Sequence, residues 1–509
     1  VYNIVFVTTE ASPYSKTGGL GDVCGSLPIV LAGRGHRVMV VSPRYLNGDS
    51  SKQAYANAVE MEEQSRIYCF GGEHEIRYYH EFRAGVDWVF VDHVFYHRPG
   101  TPYRGVNGLF QDNQLRFALL CYAASEAPLV LRLGGNSNSV YGEKTIFVAN
   151  DWHSGLVPVL LAAKYRPRGV YTEARCVFVI HNMAYQGMEF ATAYKNLGLP
   201  NEWHLTIESM HPKWARSNHS DEPFNFLKSA IAVADRIVTV SQIYSREITT
   251  PKGGYGLHKL LKSRNGVLTG ITNGIDDNEW NPSTDKFIAS TYSIDNLSGK
   301  IDCKIALQKE LGFPVRPDLP LIGFVGRLDY QKGIDILLST IPDIMKEEGV
   351  QLVMMGSGDA EYEKRMQRIE SSYPDKYRGR FGFEESVYHR IIAGCDILAM
   401  PSRFEPCGLV QLHAMRYGTV PVVHSTGGLR ETVSTFDPES NGEGTGWVFS
   451  PLNKDTLIDA LRTAVHTYET NKPSWEGLMK RGMERKSSWD EAADRYERVF
   501  ELAFGNPPY

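Results

Sequence analysis

The chain has 509 residues, 42% apolar and 22% charged, the make-up of a folded globular protein with two to four domains of roughly 100–200 residues each. Lys plus Arg number 54 against 59 Asp plus Glu, a formal charge of -5 with no basic block, which argues against a nucleic-acid backbone as partner. No apolar run reaches the ~18–20 residues of a membrane span.

Asn3-Ile-Val-Phe-Val-Thr8 predicts a first strand, followed by a glycine-rich turn and a helix over Val23–Arg34. Val38–Ser42 predicts the next strand, and Trp88–Val91, Thr145–Ala149, Cys176–Ile180 and Ile237–Val240 continue the series, with helical stretches such as Leu156–Lys164 between them. Continuously apolar strands alternating with helices indicate a parallel sheet covered on both faces. A second series begins at Leu321–Val325, with a helix over Ile334–Lys346 and strands at Val350–Met355, Ile397–Met400 and Val420–Val423. Asn-Gly, Asn-Pro and Pro-Asp punctuation between Ile271 and Pro320 puts the domain junction near residue 280. The expected organisation is α/β, with two Rossmann-like doubly wound domains, 1–280 and 281–487, facing a deep interdomain cleft. A final amphipathic helix over Trp489–Phe504 lies within a segment 488–509.

In doubly wound sheets ligands bind beyond the carboxyl ends of the strands, so the loops there are where chemistry is sought. Lys16-Thr-Gly18-Gly19-Leu-Gly-Asp22 joins the first strand to the first helix. Its glycines would let backbone N–H groups approach an anion, or would simply pack helix on strand. It is neither G-x-G-x-x-G, because Cys24 holds the third position, nor a P-loop. Arg327 and Lys332 sit in Gly326-Arg-Leu-Asp-Tyr-Gln-Lys-Gly333, between strand and helix, where two fixed cations suit a departing diphosphate. They could equally be solvated surface charges. Glu405, in Phe404-Glu-Pro-Cys407-Gly408, follows a strand end. It suits a sugar hydroxyl or a developing cation, or merely a helix start. Ser425-Thr426-Gly427-Gly428-Leu429 is a second glycine loop. Asp151-Trp-His153 and His181-Asn182 each follow a first-domain strand and would meet in one crevice.

Absences point the same way. There is no Asp-x-Asp to bridge a metal to a diphosphate, no G-x-S-x-G and no H-E-x-x-H. Phosphate charge is then expected to be met by Lys, Arg and helix N-termini rather than by Mg²⁺. The seven cysteines form no Cys-x-x-Cys pair, which argues against structural zinc. An odd, sparse set reads as a reduced compartment. A Cys24–Cys407 disulfide is left open, since both lie in these motifs. The sequons Asn218-His-Ser220 and Asn296-Leu-Ser298 read as chance matches. The sequence shows no signal or transit segment, and the expectation is that one has been removed or lies outside these residues.

Taken in order, Lys16-Thr-Gly-Gly-Leu, Asp151-Trp-His, His181-Asn182, Arg327 with Lys332, Glu405-Pro-Cys-Gly and Ser425-Thr-Gly-Gly-Leu resemble the glycogen and starch synthase family. The likeness runs from Val1 to Trp489. Stretches such as Val1–Gly25, Phe70–His80, Phe90–Gly100 and Ile322–Gly333 resemble its soluble class-one starch synthases more than its granule-bound ones. The resemblance implies a GT-B fold, with the last helix crossing back to the first domain. It implies retaining transfer of glucose from ADP-glucose to the non-reducing end of an α-1,4-glucan (amylopectin, glycogen or malto-oligosaccharides). It also implies no metal or prosthetic cofactor at the active site, a plastid stroma location with possible starch-granule association, and no nucleic-acid or membrane partner.

By position, the resemblance implies that Lys16, Gly18 and Gly19 lie near the donor phosphates, with Asp22 and Asn182 in the same binding loops. It implies that Arg327 and Lys332 neutralise the β-phosphate and that Thr426, Gly427 and Gly428 hold the diphosphate. Glu405 would stabilise the anomeric carbon, with Cys407 and Gly408 beside it, and His181 and Asp151 would lie near glucose and acceptor. Three positions depart from the family pattern. Phe383 replaces the adenine-stacking tyrosine, Asn150 replaces a histidine before Asp151, and His413 stands where the wider superfamily has a second glutamate. Rival readings are a GT-B glucosyltransferase using UDP-glucose or another acceptor, an inactive glucan-binding scaffold, and an oxidoreductase.

Overall fold

The computed structural model describes residues 1–133, 139–188, 194–203, 224–347, 349–440 and 442–509. They form two units, Val1–Asn273 with Trp489–Tyr509, and Gly274–Ser488. The division falls seven residues before the expected junction at 280. The reason is burial: Ile275 and Trp280 are in the hydrophobic core of the second unit.

The first unit is built on a nine-stranded sheet. Its strands are β1 (Asn3–Val7), β2 (Arg37–Pro43), β3 (Val59–Cys69), β4 (Gly72–Arg83), β5 (Val86–Asp92), β8 (Ile146–Asn150), β9 (Arg175–Ile180), β10 (Arg236–Thr239) and β11 (Leu268–Gly270). A small separate hairpin pairs β6 (Arg104–Gly105) with β7 (Gly108–Leu109). The order is β11-β10-β9-β8-β1-β2-β5-β4-β3. From β11 to β5 all pairings are parallel. The strands β1, β2, β8 and β9 are buried along nearly their whole length, as continuous apolar runs require when both faces are covered.

The β3–β4 hairpin is antiparallel and was not anticipated. Its period-two signal is confined to Ser65, Ile67 and Cys69 against Ile76 and Tyr78, which are buried while Arg66, Tyr68 and Arg77 are exposed. The rest of β3, Val59–Gln64, buries neither face, so no long alternation announces it. The Tyr78 hydroxyl donates to Ala123 O (3.0 Å) and ties the hairpin to the helix Asn113–Val130.

The helix Asp490–Phe504 belongs to the first unit. Ala492, Ala493, Tyr496, Val499, Phe500 and Ala503 bury one stripe at helical spacing. Phe500 and Phe504 pack on Tyr2 (5.9 and 5.5 Å between ring centroids), and Arg34 pairs with Asp494 and Glu497.

The second unit holds an all-parallel six-stranded sheet of β12 (Leu321–Val325), β13 (Gln351–Gly356), β14 (Tyr377–Phe381), β15 (Ile397–Met400), β16 (Val420–His424) and β17 (Trp447–Phe449). Its order is β14-β13-β12-β15-β16-β17. In both sheets the chain fills one side and then jumps to the other. The topological switch point lies between β1 and β8 in the first unit and between β12 and β15 in the second. Among the described residues, no helix is long and apolar enough to cross a membrane.

Candidate functional site

Both switch points carry the residues singled out in the sequence. In the first unit the loop after β1 leads into a helix that starts at Gly19, four residues before the expected Val23. Gly18 is its extended N-cap, and Asp22 lies in its first turn, where the helix dipole favours an acid. Lys16 Nζ pairs with Asp22 Oδ1 at 2.8 Å. The close packing that a third motif glycine would supply comes from Gly25, where an added Cβ would stand 2.6 Å from Ser12 O.

Glu10, which the sequence reading missed, organises this loop. Its carboxylate accepts from the Thr17 amide and from the Tyr103 hydroxyl, which also bonds Thr9 Oγ1 at 2.6 Å. Burial raises the Glu10 carboxyl above the usual range, and those hydrogen bonds pull it back. Its position, three residues beyond β1 in the same loop, was the available signal.

Beside this loop end β8 and β9. Asp151 has a backbone φ of 57°, a left-handed conformation that costs a non-glycine residue strain. Asp151 Oδ1 accepts from His181 N at 2.7 Å. The two strand ends expected in one crevice are therefore bonded to each other. Burial lifts the Asp151 carboxyl to about 7, against the pull of the His181 and Asn182 amides. Burial lowers His181 to about 4, so its imidazole is neutral. Asn150 explains its own departure from the pattern. Its Nδ2 donates to Val7 O and Val148 O (both 3.1 Å), and its Oδ1 faces His181 Nε2 at 2.8 Å. Nε2 therefore carries the proton toward an amide oxygen. His153 is buried against Tyr103, ring centroids 5.1 Å apart, and burial lowers it to about 3. Asn182 Oδ1 accepts from Ala184 N at 2.9 Å and shapes the turn after β9.

In the second unit, Lys332 follows β12 and Glu405 follows β15. Lys332 Nζ lies 2.8 Å from Glu405 Oε2, which also accepts from Ser402 Oγ at 3.0 Å. The two side chains are 17% and 9% exposed, so the pair is largely desolvated. Gly333 makes this approach possible. Its φ is +69°, and a Cβ there would fall 1.8 Å from Pro401 O. Arg327 is half exposed, with its guanidinium near Gln331 Oε1 (3.1 Å) and Asp329 Oδ2 (3.6 Å). Arg403 clamps the same loop through Asp335 (2.7 and 2.8 Å) and Tyr330 O (2.6 Å).

The second glycine loop closes over the glutamate. Gly428 N donates to Glu405 O (2.9 Å) and Pro406 O (3.1 Å), so this amide locks the Glu405 loop and is not turned to an anion. An added Cβ at Gly427 (φ +42°) would lie 2.2 Å from Glu405 O, and one at Gly428 would lie 1.9 Å from Cys407 O. Thr426 is the extended N-cap of the short helix Gly427–Thr432. Gly408 adopts φ +72° at the turn after Cys407. The seven cysteines, Cys24 and Cys407 included, are free thiols and buried.

Phe383 follows β14 and is 55% exposed, its ring 5.5 Å from that of Tyr388. His413 is buried, stacked on Trp280 with centroids 3.7 Å apart and bonded through Nδ1 to the Tyr388 hydroxyl at 2.7 Å. It is a packing residue. Asn296 Oδ1 accepts from Ser298 N and Oγ (3.2 and 2.7 Å), so that sequon is an Asx turn. The Asn218 sequon lies outside the described residues.

Comparison with known proteins adds to this geometry. A family model described as "Starch synthase catalytic domain" matches residues 3–263, and one described as "Glycosyl transferases group 1" matches residues 309–473. The chain is 64% identical to "Soluble starch synthase 1, chloroplastic/amyloplastic" of Solanum tuberosum, over 100% of this chain and 79% of that one. It is 61% identical to "Starch synthase 1, chloroplastic/amyloplastic" of Arabidopsis thaliana, over 100% and 78%. The solved catalytic domain of Starch Synthase IV from Arabidopsis thaliana, bound to ADP and acarbose, matches with a TM-score of 0.87 and 29% identity, covering 99% of this chain and 100% of that one. Two matched halves and an identity that spans all its residues show that the chain belongs to the starch synthase family, GT-B glycosyltransferases with glucan synthase activity.

Proposed function

We propose that the enzyme transfers glucose, with retention, from ADP-glucose to the non-reducing 4-hydroxyl of an α-1,4-glucan, releasing ADP and elongating amylopectin-type chains. The observation that carries this reading is the desolvated Lys332–Glu405 pair at the carboxyl ends of β12 and β15. An ammonium has three donors. One faces Glu405, which leaves the charge able to serve the β-phosphate as well. Arg327 adds a planar fork suited to phosphate oxygens. Arg327, bonded to Gln331, and Lys332, whose backbone amide donates to Asp329, would stabilise the charge that grows on the leaving diphosphate without reorganising.

Glu405 would contact glucose hydroxyls and offset positive charge at the anomeric carbon. Phe383 would stack on adenine. Lys16, Gly18 and Gly19 would serve the phosphates, with Asp22 fixing Lys16. Thr426 and Gly427 would bracket the diphosphate, while Gly428, Cys407 and Gly408 hold the glutamate loop. Neutral His181 would orient the glucose. Asp151, bonded to the His181 amide, acts as a positioning residue. In the chemical step the C1–O bond to phosphate breaks and the bond from C1 to the acceptor oxygen forms on the same face. The acceptor proton passes to the leaving phosphate. No divalent metal is assigned a part at the phosphates.

The plastid names of the relatives support a plastid location, and the ADP and acarbose in the solved relative support nucleotide-sugar and glucan partners. Anomeric proton NMR of the product from ADP-glucose and maltoheptaose tests the reading. A new α-1,4 linkage is expected. A β linkage, or no transfer, would overturn it.

A further inference from the structure

Two residues beyond Phe383, and outside the residues assigned above, the second unit holds an acid–histidine cluster that the sequence reading did not pick out. Glu385 and His389 lie four residues apart on the helix Glu385–Gly394, a spacing that puts both side chains on one face. Glu279 comes from the segment before Trp280. One ligand atom from each of Glu279, Glu385 and His389 lies within 4.8 Å of the other two. His389 Nε2 and Glu385 Oε1 are 3.6 Å apart. That is too long for a hydrogen bond. It does match the roughly 3.3–3.6 Å between two ligands on a tetrahedral ion with bonds of about 2.0–2.2 Å.

The histidine gives the independent sign. Its side chain is 1% exposed, and its Nε2 makes no hydrogen bond, facing only the Glu385 carboxylate at 3.6 Å. A buried ring nitrogen left in that state calls for an explanation. The ring is also fixed as a metal-binding imidazole is fixed. Nδ1 bonds Asp285 Oδ2 at 2.6 Å, and that same oxygen accepts from the Tyr417 hydroxyl at 2.5 Å. Trp280 stacks flat on the ring, centroids 4.0 Å apart and planes 9° apart. A carboxylate on the far nitrogen sets the tautomer and aims the near nitrogen at the ligand. Glu279 is exposed, so the cluster can be reached from solvent.

We propose that Glu279, Glu385 and His389 form a structural site for a divalent cation of the zinc class, joining the segment before Trp280 to the helix Glu385–Gly394. One imidazole with two carboxylates is a donor set zinc accepts. The lack of a Cys-x-x-Cys pair does not bear on it, because no cysteine takes part. None of the three residues belongs to the machinery assigned to glucosyl transfer.

The test uses untagged full chain, stripped with chelator, freed of chelator and titrated with zinc chloride by calorimetry, with the melting midpoint followed in parallel. One equivalent is expected to bind and raise the midpoint. Glu279→Gln, on the surface and safe for folding, and Glu385→Gln are each expected to weaken binding at least tenfold and abolish the rise. No stoichiometric binding by the parent, or binding and stabilisation that survive in both variants, would overturn the proposal.

Discussion

Lys332 Nζ and Glu405 Oε2 are 2.8 Å apart although 73 residues separate them in the chain. They meet because β12 and β15 are neighbours at the switch point of their sheet, and each residue follows its strand's carboxyl end. A largely desolvated pair is costly to break by removing one partner, because the other charge stays buried.

Lys332→Ala is expected to lower kcat/KM by about 10²–10³, equivalent to ~2.7–4 kcal/mol for one preorganised charged contact. Ser402 Oγ still donates to Glu405, so the variant is expected to fold. Steady-state kinetics beside a melting curve separate the two effects. An unchanged rate would remove Lys332 from the site.

Gly333→Ala tests the loop that delivers Lys332. The left-handed conformation alone costs a residue with a Cβ about 1–2 kcal/mol. The collision with Pro401 O comes on top. Both stability and activity should fall, whereas Gly18→Ala, where a Cβ meets nothing within 4 Å, should leave stability nearly unchanged. Equal melting midpoints for the two variants would contradict the steric argument.

Phe383→Ala should chiefly raise KM for the nucleotide sugar, and Phe383→Tyr should keep it low, because stacking needs a ring and not a hydroxyl. A loss confined to kcat would show that the ring does not bind the donor.

Asp151 links stability to pH. Its folded carboxyl is raised to about 7 by burial, above its value in an unfolded chain. Between roughly pH 4 and 7 the folded state binds more protons, so this stabilisation is full at low pH and is lost as pH rises through 7. Asp151→Asn removes the titration. The melting midpoint of the parent minus that of the variant should therefore fall between pH 4.5 and 7.5. Parallel curves would contradict the assignment.

Much of this was legible because parallel strands are written as unbroken apolar runs. Leu321–Val325 and Ile397–Met400 have the expected bounds. The residues just past such runs are where a doubly wound sheet gathers its loops, which is how Arg327, Lys332, Glu405, Asp151 and His181 became candidates. Other features left no such mark. The first half of β3 buries neither face, and Glu10 is one acid among 59 until the Thr17 amide and Tyr103 fold onto it. Gly428 reads as a phosphate loop, but its amide turns to Glu405 O, a choice made by tertiary packing and not by spacing. At His413 the sequence shows only that a glutamate of the wider superfamily is absent. The histidine is a ring stacked on Trp280, and Trp280 is 133 residues away in the chain.

The most direct measurement is the initial rate of glucose incorporation into amylopectin from ADP-glucose and, in parallel, UDP-glucose, each with EDTA and with added magnesium, for the parent and Lys332→Ala. The expected result is incorporation from ADP-glucose that is the same with EDTA and with magnesium and is nearly lost in the variant. Incorporation that requires magnesium, or that survives intact in Lys332→Ala, would contradict a phosphate site made of fixed cations alone.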